Sequence, residues 1–211
     1  MEKPILFKGE MVKKILSGEK TQTRRIINGP MNQMHYGKLL GDWALSSFVG
    51  LEDGILEFKI QTDVDDCATC KIKCPYSKVG GALWVRETWW QCINNNDRIY
   101  YAASETPTET KNRSYRKRPS IFLKRSDSRI NLEIISIRVE RLQNITASDA
   151  IAEGIDRSGI TWKDYRTGGM KQAMLQDPVD SFRTLWNTIN KKRGYGWDIN
   201  PWLWVIKFKV I

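Results

Sequence analysis

Gly18-Glu-Lys-Thr-Gln-Thr-Arg-Arg-Ile-Ile27 is the point at which a helical pattern gives way to a strand pattern. Upstream, Met11, Val12, Ile15 and Leu16 recur at helical spacing, while Lys13, Lys14 and Ser17 fall on the other face. Gly18 supplies the terminal residue that takes positive φ without steric cost. From Thr21 the chain becomes β-branched. Strand alternation places Thr21, Thr23 and Arg25 on one face and Gln22, Arg24 and Ile26 on the other. Lys20 brings an amine to this turn, Thr23 a hydroxyl, and Arg24 and Arg25 planar forks that suit phosphate or carboxylate. Two readings stand side by side: an anion-binding site that includes a nucleophile, or a polar strand start with solvated charges.

Working outward, strand signals dominate. They cover Pro4–Phe7, Ile55–Gln61, Ala82–Trp90, Arg98–Ala103, Asn131–Arg141 and Pro201–Ile211. The clearest helix starts at Asp177, a capping residue followed by Pro178, with Val179, Phe182, Leu185, Trp186 and Ile189 as its apolar face. A shorter helix follows Thr146, where Asp149 three residues on resembles a capping box, and Gly154 closes it. Glu153 sits in its last turn, against the helix dipole, which suggests a task for that carboxylate. No βαβ alternation and no internal repeat is seen. The expected fold is mainly β with α (α+β): a small, largely antiparallel barrel with short helices, its first and last strands able to pair. The chain reads as a single domain, 1–211, with loop insertions at about 28–54, 62–80, 104–120 and 156–176.

Composition narrows the partners. Lys+Arg is 34 against Asp+Glu 24, for a net charge of +10, which favours a polyanion such as nucleic acid. The second half of the 104–120 loop is basic around one tyrosine. Arg113, Tyr115, Arg116, Lys117 and Arg118 there could track a phosphate backbone and stack on a base, or form a solvated loop. In Leu83-Trp-Val-Arg-Glu-Thr-Trp89, Arg86 and Glu87 are read as substrate-binding residues or as a structural ion pair. Cys67, Cys70 and Cys74 have metal-ligand spacing, and Cys92 or His35 could complete a structural Zn2+ site; the alternative is unpaired thiols in a loop. The first residues carry no apolar signal segment, and no apolar run reaches a membrane span. The expectation is a soluble, cytoplasmic protein with no membrane partner.

Four segments taken together carry a family resemblance: Pro4-Ile-Leu-Phe7, Gly18-x-Lys-Thr-x-Thr-Arg-Arg25, Leu83-Trp-Val-Arg-Glu-Thr-Trp89 and Asn200-Pro-Trp-x-Trp-Val-Ile-x-Phe208. In this order they resemble the ASCH domains of the PUA-like superfamily, and most closely the longer versions encoded in bacteriophage and prophage genomes. The resemblance implies a β-barrel with a cleft for a nucleoside or RNA, working in the cytoplasm of a bacterial host. A small bacterial branch hydrolyses the acetyl amide of N4-acetylcytidine with a lysine, a threonine and a glutamate, which map onto Lys20, Thr23 and Glu153. Thr23 would attack the acetyl carbonyl with Lys20 as base. Glu153 would orient the lysine or handle the leaving amine, and Arg25 or Arg86 would stabilise the oxyanion. Arg24 and Arg25, as neighbouring cations, would lower the lysine pKa. This chain is about twice the length of those amidohydrolases, the excess lying in the four loops. The alternatives are a non-catalytic RNA-binding module, a ribonuclease, or a phage protein that engages a host protein.

Overall fold

The computed structural model describes residues 2–29, 32, 44–61, 67–93, 99–104, 115–166 and 174–211. In chain order these form β1 (Lys3–Leu6), α1 (Gly9–Leu16), β2 (Gln22–Ile26), β3 (Ala44–Glu52), β4 (Ile55–Gln61), β5 (Cys67–Lys73), β6 (Ala82–Arg86), β7 (Trp89–Cys92), β8 (Ile99–Tyr101) and β9 (Tyr115–Arg118). They continue with β10 (Asn131–Arg141), α2 (Ala147–Ala152), β11 (Arg157–Ser158), β12 (Thr161–Lys163), β13 (Met174–Leu175), α3 (Pro178–Asn190) and β14 (Trp202–Val210), with short 3-10 turns between. Strands predominate and helices sit at connections, which is the α+β class the sequence implies. Among the described residues no helix is long and apolar enough to cross a membrane.

The chain divides into two compact units, each assembled from separate segments. The first comprises Met1–Thr21, Pro75–Ile135 and Phe208–Ile211. Here β1 pairs with β6 in parallel, and the start of β10 pairs with β6 antiparallel, Leu132 facing Leu83. Their inward residues Ile5, Leu83, Val85 and Leu132 are buried, with Val12 and Ile15 from α1. A second sheet, ordered β8–β7–β9, belongs to the same unit. The single strand expected over Ala82–Trp90 is therefore two. The break falls at Glu87–Thr88, because β6 pairs with β1 and β10 while β7 pairs with β8 and β9.

The second unit comprises Gln22–Cys74 and Ser136–Lys207. Its sheet runs β10–β14–β2, with Thr23 opposite Ile206 and Arg25 opposite Trp204. Its core gathers Leu142, Ile145, Ala150, Ile155, Phe182, Trp186, Trp197 and Leu203. Helix α3 begins as its sequence dictates: Asp177 accepts a hydrogen bond from the Val179 N–H at 2.8 Å, and Pro178 occupies the first turn. Phe182 and Trp186 carry its buried face, and Ile189 stays partly exposed.

Several expectations are corrected. All four stretches read as loop insertions contain strands. β3 lies in 28–54, β5 in 62–80, β9 in 104–120, and β11, β12 and β13 in 156–176. Sheets ordered β3–β4–β5 and β11–β12–β13 result. Cross-strand partners far along the chain supply the stabilisation that local pattern lacks. In β3 the register also shifts twice, between Leu45 and Ser47 and between Phe48 and Gly50, which breaks the alternation a strand reading depends on. The last strand, β14, has β10 and β2 as neighbours, whereas β1 pairs with β6, so first and last strands are not partners. The strand orders are open, and no closed barrel is formed among the described residues.

Candidate functional site

In the second unit, β2 delivers a dense polar cluster to the interior. Gln22 is 2 % exposed, Thr23 4 % and Arg24 5 %. The reading of this segment as solvated surface fails on those values. Arg24 donates to three carboxylates: Glu140 at 2.5 Å, Asp149 at 3.0 Å and Glu153 at 3.2 Å. Its guanidinium also lies 5.8 Å from the centre of the Phe182 ring. Arg138 braces the same acids, donating to Glu140 at 3.0 Å and Asp149 at 2.5 Å, and reaches the Gln22 Oε1 at 3.1 Å. That last bond fixes the Gln22 amide, whose buried Nε2 meets no acceptor among the described residues.

Arg24 and Arg138 thus face Glu140, Asp149 and Glu153 in this cluster. Burial by itself pushes the Asp149 carboxyl up, but the Arg24 and Arg138 guanidiniums outweigh it and hold the group below its ordinary value. Burial likewise works against the Arg138 charge, and Glu140 and Asp149 overcome it, so its pKa is raised.

Local sequence explains how Glu153 arrives here. Thr146 accepts from the Asp149 N–H at 3.2 Å, so the helix start forms as expected. The Asp149 side chain turns to Arg24 and Arg138 instead of closing a capping box. One helical turn later Glu153 stands at the C-terminal cap, 5 % exposed, before Gly154 at φ 81°. The misfit with the helix dipole is thus answered by Arg24.

In the first unit, α1 ends as expected before Gly18, at φ 77°. Lys20 follows with only 4 % exposure, its amine 5.8 Å from the centre of the Phe7 ring. Glu87 is 1 % exposed and accepts two bonds from Arg129, at 2.8 Å from Nε and 3.0 Å from Nη2. Arg129 lies 4.2 Å from the centre of the Tyr101 ring. Arg86 stacks on Trp84, its neighbour two residues back on the same strand face, at 4.6 Å. Arg86 and Glu87 accordingly have different partners.

Of the basic segment, Tyr115, Arg116, Lys117 and Arg118 form β9, and Arg113 lies outside the described residues. Cys70 is half-buried on β5, Cys74 is buried just after it, and Cys92 is half-buried on β7. The side chain of Cys67, and His35, lie outside the described residues. Among those described, no three His, Cys, Asp or Glu side chains group as metal ligands.

Sequence reading missed Arg138, Glu140 and Asp149 as members of the cluster. The signal was present in β10, whose second half alternates Arg138 and Glu140 with Ile137 and Val139. It identifies a polar face without naming what lies opposite. No family model, curated protein or solved structure matches this chain, so the ASCH resemblance rests on the four quoted segments.

Proposed function

We propose that the chain is an ASCH-type, PUA-like protein that binds a cytidine-type nucleoside and hydrolyses the acetyl amide of N4-acetylcytidine. Burial is the observation that carries this reading. Lys20, Thr23 and Glu153, the three residues the resemblance assigns to catalysis, are 4 %, 4 % and 5 % exposed. Withdrawing an amine, a hydroxyl and a carboxylate from water carries a desolvation cost that the surrounding groups must offset, and functional sites are where such costs concentrate.

The reaction needs a nucleophile, a base and a proton donor for the leaving amine. In the scheme the resemblance implies, the Thr23 oxygen adds to the acetyl carbonyl and its proton goes to the lysine amine, the part assigned to Lys20. Collapse breaks the C–N bond, and the cytidine amine leaves with the proton that the lysine amine took from Thr23. Water then cleaves the threonyl ester to acetate and restores the hydroxyl. Arg25, on Thr23's side of the strand alternation, is the cation for the oxyanion. The resemblance gives Glu153 the leaving amine; in the fold Arg24 holds that carboxylate, on the other side of the β2 alternation from Thr23, so Glu153 enters this reading through the resemblance and not through the strand geometry. Arg24 itself is committed to three acids, so its role here is to position Glu153 rather than to bind substrate.

The test is direct. Wild type incubated with N4-acetylcytidine releases cytidine and acetate, and Lys20→Ala, Thr23→Ala and Glu153→Gln each lower kcat by about a hundredfold or more. No release by wild type overturns the activity, and release that survives all three substitutions overturns the assignments. RNA binding by an inert wild type leaves the non-catalytic module as the reading.

A further inference from the structure

Register sorts the β8–β7–β9 sheet into two faces. Trp90 lies opposite Tyr100 and Lys117, and Cys92 lies opposite Tyr115. Directly opposed residues share a face, as do positions two apart on one strand. One face therefore carries Trp90, Cys92, Tyr100, Tyr115 and Lys117, and the other carries Trp89, Gln91, Tyr101, Arg116 and Arg118.

The faces differ in cover. On the second, Trp89 is buried, and Tyr101 donates to the Asp127 carbonyl at 2.7 Å beneath the Arg129 guanidinium. On the first, the three rings are half-buried and Lys117 is exposed. Tyr100 and Tyr115 meet edge to face at 5.4 Å, and the Lys117 amine lies 5.5 Å from the centre of the Trp90 ring. β9 forms one edge of the sheet, with Arg116 exposed beside Lys117 and Arg118 donating to Gln91 at 2.9 Å. None of the three strands contains an acidic residue.

We infer that this face is a docking platform for single-stranded RNA, with bases stacking on Trp90, Tyr100 and Tyr115 and phosphates running along β9. A single lysine is enough to guard a sheet edge against stray pairing, and such a guard has no use for three half-buried rings on one face. Lys117 on this face, exposed Arg116 next to it along the β9 edge and the absence of acid from the three strands fit a polyanion. Duplexes bury their base faces, whereas single strands offer them for stacking. The choice of RNA over DNA rests on the cytidine-amide reading above, and the platform deepens it by making the substrate cytidine part of a strand.

Anisotropy titration of the full chain with a labelled, cytidine-containing 12-mer tests this. The single-stranded RNA binds more tightly than its duplex or the matching DNA strand, and affinity falls as salt rises. Replacing both exposed cations, Arg116→Gln with Lys117→Gln, weakens binding about tenfold and makes the log–log salt slope shallower by about 1.4, near 0.7 for each phosphate that is no longer neutralised. Trp90→Ala weakens it about tenfold or more, the loss of one stacked base. Trp90→Phe retains most of the affinity, which separates stacking from a folding defect. No binding at low salt, equal binding of the duplex, or an unchanged slope in the double variant overturns the platform. Equal or tighter binding of the DNA overturns the assignment to RNA. RNA binding without nucleoside turnover supports the platform and defeats the deacetylase reading, and turnover without RNA binding does the reverse.

Discussion

Arg24 is the most heavily committed side chain in the second unit. Its guanidinium is fully buried and bonded to Glu140, Asp149 and Glu153. Removing it strands three acids, so Arg24→Ala costs about 3–5 kcal/mol of stability, measured by urea unfolding. Arg24→Lys recovers only part of that, because a single ammonium does not reproduce the planar fork. The same network sets an acid limb. Asp149 has a folded pKa below its ordinary 3.8, so the stabilisation it contributes is present above 3.8 and is lost as pH falls through the lower folded value. The urea midpoint should drop below about pH 4, and Asp149→Asn should show a lower midpoint at neutral pH with a shallower acid fall. An acid limb unchanged by that substitution would assign it to other carboxylates.

At the scale of elements, α3 shows local rules and packing in agreement. Asp177 caps it, Pro178 starts it, and Phe182 and Trp186 bury its face. Asp177→Ala should cost about 1 kcal/mol, read as a small fall in unfolding midpoint with the denaturant slope unchanged. β5 makes the opposite point. Half-buried Cys70 and Ile72 alternate with exposed Thr69, Lys71 and Lys73, an ordinary strand pattern. The spacing of the cysteines invites a metal reading and obscures that alternation. What makes the segment a strand is its pairing with β4, Cys70 opposite Phe58 and Ile72 opposite Leu56.

At the scale of the molecule, the chain passes between its two units at residues 21, 74, 135 and 207. Neither unit is a contiguous piece of sequence. A fragment spanning 75–135 lacks β1, which pairs along β6, and lacks Phe208, whose ring lies 6.0 Å from Phe7. Expressed alone, that fragment should give a far-UV circular dichroism spectrum without cooperative thermal unfolding, while the full chain unfolds cooperatively. Cooperative unfolding of the fragment would show that the first unit does not need its terminal segments.

What the sequence alone determined is local. The α1 end at Gly18, the α2 start at Thr146, the α3 cap at Asp177 and the strands β4 and β10 follow from periodicity and capping, which act within a few residues. The suspicion that Glu153 has a task also came from a local misfit. Only the tertiary structure decided that Lys20, Thr23 and Arg24 are buried, that Arg24 bonds Glu153, and that Glu87 pairs with Arg129 rather than Arg86. It also set strands within each of the four supposed loops. These outcomes depend on partners as far apart as 129 residues along the chain. Burial and ion pairing are properties of the assembled neighbourhood, and local pattern carries no record of which neighbour arrives.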